Sequence, residues 1–170
     1  MDTKSEVISF LEEHRNAYAS GQLIADHLHI SRAAVWKTIQ QLQKEGFQIE
    51  AVTRKGYRLH RNSDVLSQEG IRYYLQKEYA NSLIEVYTLI DSTNKQLKKA
   101  ALQGAGHHTI LVANEQSNGI GRFERPFYSP KDTGIYMSLL IKDQRPLQDA
   151  TMVTLMSGVA VSRVLAKHSE

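Results

Sequence analysis

Residues 31–59 change their apolar period once, from helical to alternating, and that change dictates how they fold. Val35, Ile39 and Leu42 recur at i, i+4 and i+7, which makes one face of a helix apolar. Ser31 stands before the run as an N-cap, and Gly46 follows it as the residue that accepts a left-handed backbone. The other face carries Arg32, Ala33, Trp36, Lys37, Gln40, Gln41 and Lys44. Phe47 to Val52 then begins with the alternation of a half-buried strand. Thr53-Arg54-Lys55-Gly56 makes a turn, and Tyr57-Arg58-Leu59 returns.

Two further helices are predicted upstream. Val7, Ile8, Phe10 and Leu11 give helical spacing over residues 3–14, and Ser20 caps a short helix with Leu23, Ile24 and Leu28. His29-Ile30 links it tightly to the third helix. Charge separates the same regions. Residues 1–30 hold two Lys/Arg against five Asp/Glu, whereas residues 31–61 hold seven against two, in a chain whose net charge is only +3. A basic stretch in a near-neutral chain is the footprint of a phosphate-facing surface. Two short helices, a cationic third helix and a basic-tipped hairpin are the parts of a winged helix-turn-helix. Ser31, Arg32, Ala33, Trp36, Lys37, Gln40, Arg54 and Lys55 are the residues expected at DNA. Arg and Gln suit base edges, and Lys suits phosphate. Trp36 fits either a DNA contact or closure of the small core.

His60 to Asp64 is a polar connector, which divides the chain into residues 1–62 and 63–170. Beyond it, Ser67 caps a helix bearing Ile71, Tyr74 and Leu75, and residues 83–90 are β-rich. Asp91-Ser92-Thr93-Asn94 opens a helix to about Leu102, with Asp91 read as its cap rather than as a base. Residues 109–113 and 134–141 read as apolar strands. Residues 149–167 read as a largely buried helix, because Met152, Leu155 and Val159 combine with Val161, Val164 and Leu165 to widen its apolar face. Helices and strands intermix, so this part is α+β or α/β. Between its last two strands lies a long polar loop, residues 114–130. Gly119 and Gly121 permit close approach to a ligand, and Arg122 and Arg125 offer planar donors to a phosphate or carboxylate.

With no cysteine, disulfides and thiolate metal sites are excluded. No metal site is expected; the adjacent His107-His108 reads as loop. No apolar run approaches the ~18 residues of a membrane span, and the opening residues do not read as a signal peptide, so no membrane and a cytoplasmic location are expected.

SRAAVWKTIQQLQKEGFQIEAVTRKGYRL resembles the DNA-binding domain of bifunctional biotin protein ligases, which double as repressors of biotin genes. The second half supports the same likeness. Asp91-Ser92-Thr93-Asn94 matches a D-S-T-N turn of that family. Gln116, Gly119-x-Gly121-Arg122-x-x-Arg125, Phe127, Ser129-Pro130 and Gly134-x-Tyr136-Met137-Ser138 are similar to its biotin-binding loop and next strand. The resemblance implies a class II synthetase-like α/β domain, of which this chain has the first part. It also implies an enzyme that joins biotin and ATP, with Mg expected beside the ATP, into biotinyl-5′-AMP. Biotin then passes to a lysine of a biotin carboxyl carrier protein. The adenylate-loaded form is implied to act as a homodimer on operator DNA. By matching positions, Ser92, Thr93, Asn94, Gln116, Gly119, Gly121 and Arg122 would hold biotin. Arg122 and Arg125 would neutralise the reacting phosphate, which needs charge and positioning more than a protein nucleophile.

The sequence departs from that pattern at Ile120, where an arginine is usual, and at Phe127, where tryptophan is usual. The family's K-W-P-N-D motif does not occur, since Trp36 is the only tryptophan. A chain of this length is therefore expected to ligate poorly or not at all. The alternative it leaves is a DNA-binding regulator that senses a biotin-like ligand without catalysis.

Overall fold

A computed structural model describes residues 2–142 and 150–168. The chain divides into two compact units, residues 1–140 and 141–170.

The first unit begins with three helices, α1 (Thr3–Glu13), α2 (Gly21–Leu28) and α3 (Arg32–Lys44). Ser20 and Ser31 cap α2 and α3, each side chain accepting a backbone N–H three residues on, from Leu23 and Ala34. His29 ends α2 in the left-handed region at φ +53°, and Gly46 follows α3 at φ +98°. Val7, Phe10 and Leu11 of α1, Ile24 of α2, and Val35, Ile39 and Leu42 of α3 close one apolar cluster. The ion pair Lys4–Glu45 (2.6 Å) joins the start of α1 to the end of α3.

Strands β1 (Ile49–Val52) and β2 (Gly56–Leu59) form the expected antiparallel hairpin, with Ile49 opposite Leu59. The buried Phe47, Ile49 and Leu59 seat it on the helical cluster. Periodicity signals no third partner, but Ala19 and Tyr57 exchange N–H···O bonds at 2.8 Å in both directions. Gly56 is required there twice over. Its φ is +101°, and a Cβ would lie 2.1 Å from the Ala19 carbonyl oxygen.

The connector is held rather than loose. Glu12, 1% exposed, accepts Nε and Nη2 of Arg15 at 2.6 and 2.9 Å. Arg15 Nη1 donates to the carbonyls of His60, Arg61 and Ser63 at 3.0–3.3 Å. Helix α4 (Gln68–Tyr74) packs on α1, but Tyr74, expected on its apolar face, is 72% exposed. Seven residues make barely two turns, so the spacing specified no continuous stripe.

Beyond α4 a three-stranded sheet forms, in the order β3 (Ile84–Tyr87), β4 (Ile110–Ala113), β5 (Tyr136–Leu139). β3 and β4 are parallel and joined through helix α5 (Thr93–Leu102); β4 and β5 are antiparallel. Helix α5 covers β4 and β5, burying Leu97. Each strand is shorter than its apolar run, and Ile135 and Ile141 lie outside β5 and are exposed.

The second unit contains helix α6 (Ala150–His168). Met152, Leu155, Val159, Val161, Val164 and Leu165 are all exposed, so the expected burial is not met. Spacing defines an apolar face but does not supply the element that covers it. Residue 149, the expected start of this helix, lies outside the described residues.

Candidate functional site

Two groups of residues expected from the sequence find distinct places in the first unit. Arg32, Ala33, Trp36 and Lys37 lie on the exposed side of α3, opposite Val35, Ile39 and Leu42. Trp36 is 58% exposed, so it does not close the core. Ser31 is exposed too, but its hydroxyl is occupied as the cap of α3. Gln40 is half-buried, and its Nε2 donates to Gln43 Oε1 at 3.2 Å, while Gln43 Nε2 reaches the Ile49 carbonyl at 2.7 Å. It therefore braces the hairpin as well as facing outward. Arg54, at φ +68°, and Lys55 are exposed at the hairpin tip. Tyr18 and Glu50, neither singled out in the sequence as a DNA-facing residue, sit beside them. Glu50 pairs with Arg58, and the Tyr18 hydroxyl and Arg58 together hold the Glu50 carboxyl below its ordinary range.

The second group gathers where β3 and β4 end. Ser92 is the true cap of α5: its hydroxyl accepts Lys95 N–H at 3.4 Å. Asp91, expected in that role, stands one residue earlier. It accepts Gln96 Nε2 (2.8 Å) and Ser92 N–H (2.7 Å), and these two bonds lower its pKa, Gln96 most. The cap must have extended backbone and precede the first helical residue, and Ser92 meets both conditions.

From Ser92 the chain turns into a directional hydrogen-bond relay. Ser138 Oγ donates to Thr93 Oγ1 (2.9 Å). Thr93 donates both N–H (2.9 Å) and hydroxyl (3.2 Å) to Gln116 Oε1. Gln116 Nε2 donates to Ser129 Oγ (3.0 Å), which donates to the Phe127 carbonyl (3.0 Å). Ser92, Thr93 and Ser129 are buried at 1–3% exposure. Such a relay polarises along its length and fixes the Gln116 amide in one orientation. Ser129 and Ser138 belong to it although neither stood out as a site residue.

Residues 119–127 are a hairpin rather than an open loop. Phe127 N–H bonds Gly119 O, and Gly121 N–H bonds Arg125 O, both at 2.8 Å. Gly119 permits close approach, but to the hairpin itself: a Cβ would lie 2.4 Å from the Phe127 carbonyl oxygen and 2.6 Å from Ser129 Oγ. The tip, Arg122–Glu124, carries Phe123 and Glu124 at φ +55° and +57°. Arg122, Arg125 and Phe127 are exposed, with the Arg122 guanidinium 5.5 Å from the Phe123 ring centroid. Asn94, on the first turn of α5, is exposed. The structure thus joins Thr93, the half-buried Gln116 and Gly119 in one cluster, with Ser92 next to it in the chain, and places the arginines outside it.

A cavity of about 1180 Å³ lies elsewhere, lined by Ile8, Phe47, Val65, Val112 and Ile135 among others, and none of the expected site residues line it. Among the described residues no group of three or more His, Cys, Asp or Glu is placed to hold a metal. His107 and His108 lie in a turn with ring centroids 3.6 Å apart and planes tilted by 35°. No described helix is long and apolar enough to cross a membrane.

A helix-turn-helix joined to an α/β domain with a polar relay at its strand ends is the class these features define. Residues 3–58 match an HTH domain family, and residues 86–170 match the biotin/lipoate A/B protein ligase family. The chain belongs to the biotin/lipoate A/B protein ligase family. It is 38% identical over 158 residues to the bifunctional ligase/repressor BirA of Bacillus subtilis (strain 168), covering 93% of this chain and 49% of that protein. It is 30% identical over 152 residues to the protein of the same name from Salmonella typhimurium, covering 88% and 45%. The chain thus spans about half the length of the curated relatives it matches. A biotin acetyl coenzyme A carboxylase synthetase from Helicobacter pylori, solved with biotinylated ATP, aligns at 22% identity and a TM-score of 0.34, over 40% of this chain and 35% of that one.

Proposed function

We propose that this chain belongs to a biotin ligase that also represses transcription, the 170 residues alone ligating poorly or not at all. It makes biotinyl-5′-AMP from biotin and ATP, with Mg²⁺ entering as part of the ATP complex. It passes biotin to a carrier-protein lysine and, loaded with adenylate and dimeric, binds operator DNA in the cytoplasm. The winged helix ends near Asn62 and the ligase portion starts at Ser63. In support, the N-terminal apolar cluster draws its buried members from residues 7–59, and the two family matches fall on either side of the connector.

One observation carries the ligand reading: the Thr93–Gln116–Ser129 relay, with Thr93 and Ser129 buried and Gln116 half-buried, in a chain of this family. Its amide points one way, and the second N–H of Gln116 has no acceptor among the described residues. Biotin offers a ureido oxygen to such a donor. Ser92 and Thr93 shape the same end, with Asn94 beside them at the start of α5. Gly119 and Gly121 form the stem of a hairpin whose Arg122 and Arg125 supply positive charge to the acyl phosphate. In titration calorimetry, biotinyl-5′-AMP is expected to bind the wild-type chain, and Gln116→Leu to weaken binding about ten-fold or more. Absence of binding to the wild type would overturn the reading. Binding that alters DNA affinity, with no adenylate made from biotin and ATP, would mark a sensing regulator instead.

The DNA reading assigns Ser31, Arg32, Ala33, Trp36, Lys37, Gln40, Arg54 and Lys55 to the interface, with Lys37 on phosphate. Lys37→Ala is expected to flatten the salt dependence of DNA binding by about one unit of slope. An unchanged slope would remove Lys37 from the phosphate contacts.

A further inference from the structure

Tyr18 is bound to the wing more closely than its place in the sequence suggests. The next residue, Ala19, bonds Tyr57 through both its N–H and its carbonyl at 2.8 Å, so the backbone beside Tyr18 is fixed to strand β2. The half-buried Tyr18 ring faces two cations. The Arg58 guanidinium carbon is 4.5 Å from its centroid and Lys55 Nζ is 5.5 Å. Both lie within the ~6 Å reach of a cation–π contact.

The two cations differ in what else they meet. Arg58 donates Nε to Glu50 Oε2 at 3.1 Å, and Nη2 reaches the same oxygen. Its charge is offset inside the hairpin, and it seats the ring. Lys55 is exposed at the tip, with no carboxylate in ion-pair range among the described residues. A lysine side chain ordinarily samples many rotamers, and ordering it on binding weakens an interface. The ring restricts that sampling in advance.

We propose that Tyr18 is a positioning residue for duplex DNA: its ring holds Lys55 ready for a backbone phosphate, while the Glu50–Arg58 pair keeps the ring in place. The proposal rests on the DNA-binding reading of the winged helix. It separates the wing's cations by role, with Lys55 presented outward and Arg58 engaged in the scaffold.

The test uses the full 170-residue chain and a short fluorescent duplex of arbitrary sequence, with anisotropy followed through a potassium chloride series. Tyr18→Phe keeps the ring and is expected within about two-fold of wild type. Tyr18→Leu is expected to lose about three- to ten-fold in affinity and up to about one unit of salt slope, as Lys55→Ala does. The double variant Tyr18→Leu/Lys55→Ala is expected to be no worse than Lys55→Ala alone, because the two changes remove one interaction. Unchanged melting of Tyr18→Leu would show that the domain still folds. Losses that add in full, or a wild-type slope in Tyr18→Leu, would overturn the proposal while leaving the DNA reading intact. A wild type without salt-dependent binding would overturn both.

Discussion

Asp91 shows how one side chain links local structure to pH. Its carboxylate accepts Gln96 Nε2 and Ser92 N–H, and Lys95 Nζ lies 3.5 Å away. These partners favour the charged form, so its pKa is lowered, first by Gln96. The stabilisation is therefore present above the ordinary aspartate pKa and is lost as pH falls through the lowered value. Asp91→Asn should lower the neutral plateau of the melting-temperature profile, converge with wild type in acid, and so flatten the acid limb. An identical acid limb in the two proteins would show that Asp91 is not linked to folding. The same geometry argues against a general base here, since both Gln96 and Ser92 already occupy one oxygen of the carboxylate.

Among elements, the 119–127 hairpin is the one most exposed to a single atom. A methyl group at Gly119 meets the Phe127 carbonyl oxygen and Ser129 Oγ below contact distance, and Gln116 Nε2 at 3.2 Å. Gly119→Ala should cost about 2–3 kcal/mol and weaken biotinyl-5′-AMP binding together with it, read by chemical denaturation and calorimetry. Full stability would mean that the hairpin shifts freely. The three N-terminal helices and the wing were legible in the sequence because periodicity, caps and turn residues pointed to the same elements there, although Leu23 is exposed and the first strand starts at Ile49 rather than Phe47. The Ala19–Tyr57 bridge was not, since one residue has no period. The site was half legible. Ser92, Thr93, Gln116 and Gly119 could be named from the motif. Ser129 and Ser138 could not be assigned partners, because the relay that joins them spans as many as 45 residues. The exposure of α6 was not legible either, because an apolar face says nothing of its cover.

On the scale of the whole first unit, Arg15 ties the winged helix to the connector. One guanidinium answers the buried Glu12 and three carbonyls of residues 60–63. The burial penalty of Glu12 is offset only while Arg15 is present. Arg15→Ala should cost about 3 kcal/mol and speed proteolysis at residues 60–64. Unchanged stability and unchanged cleavage would show that the connector is held by other contacts. The relay and the wing are thus carried on one unit, with β3, α4 and α1 packed in turn between them. Hydrogen exchange of the full chain with and without biotinyl-5′-AMP tests the ligand site directly. Slower exchange is expected at amides of residues 92–97 and 116–129, with the 7–42 helical core unchanged. No slowing at those residues, or slowing confined to the cavity lined by Ile8, Phe47 and Val65, would contradict the assignment.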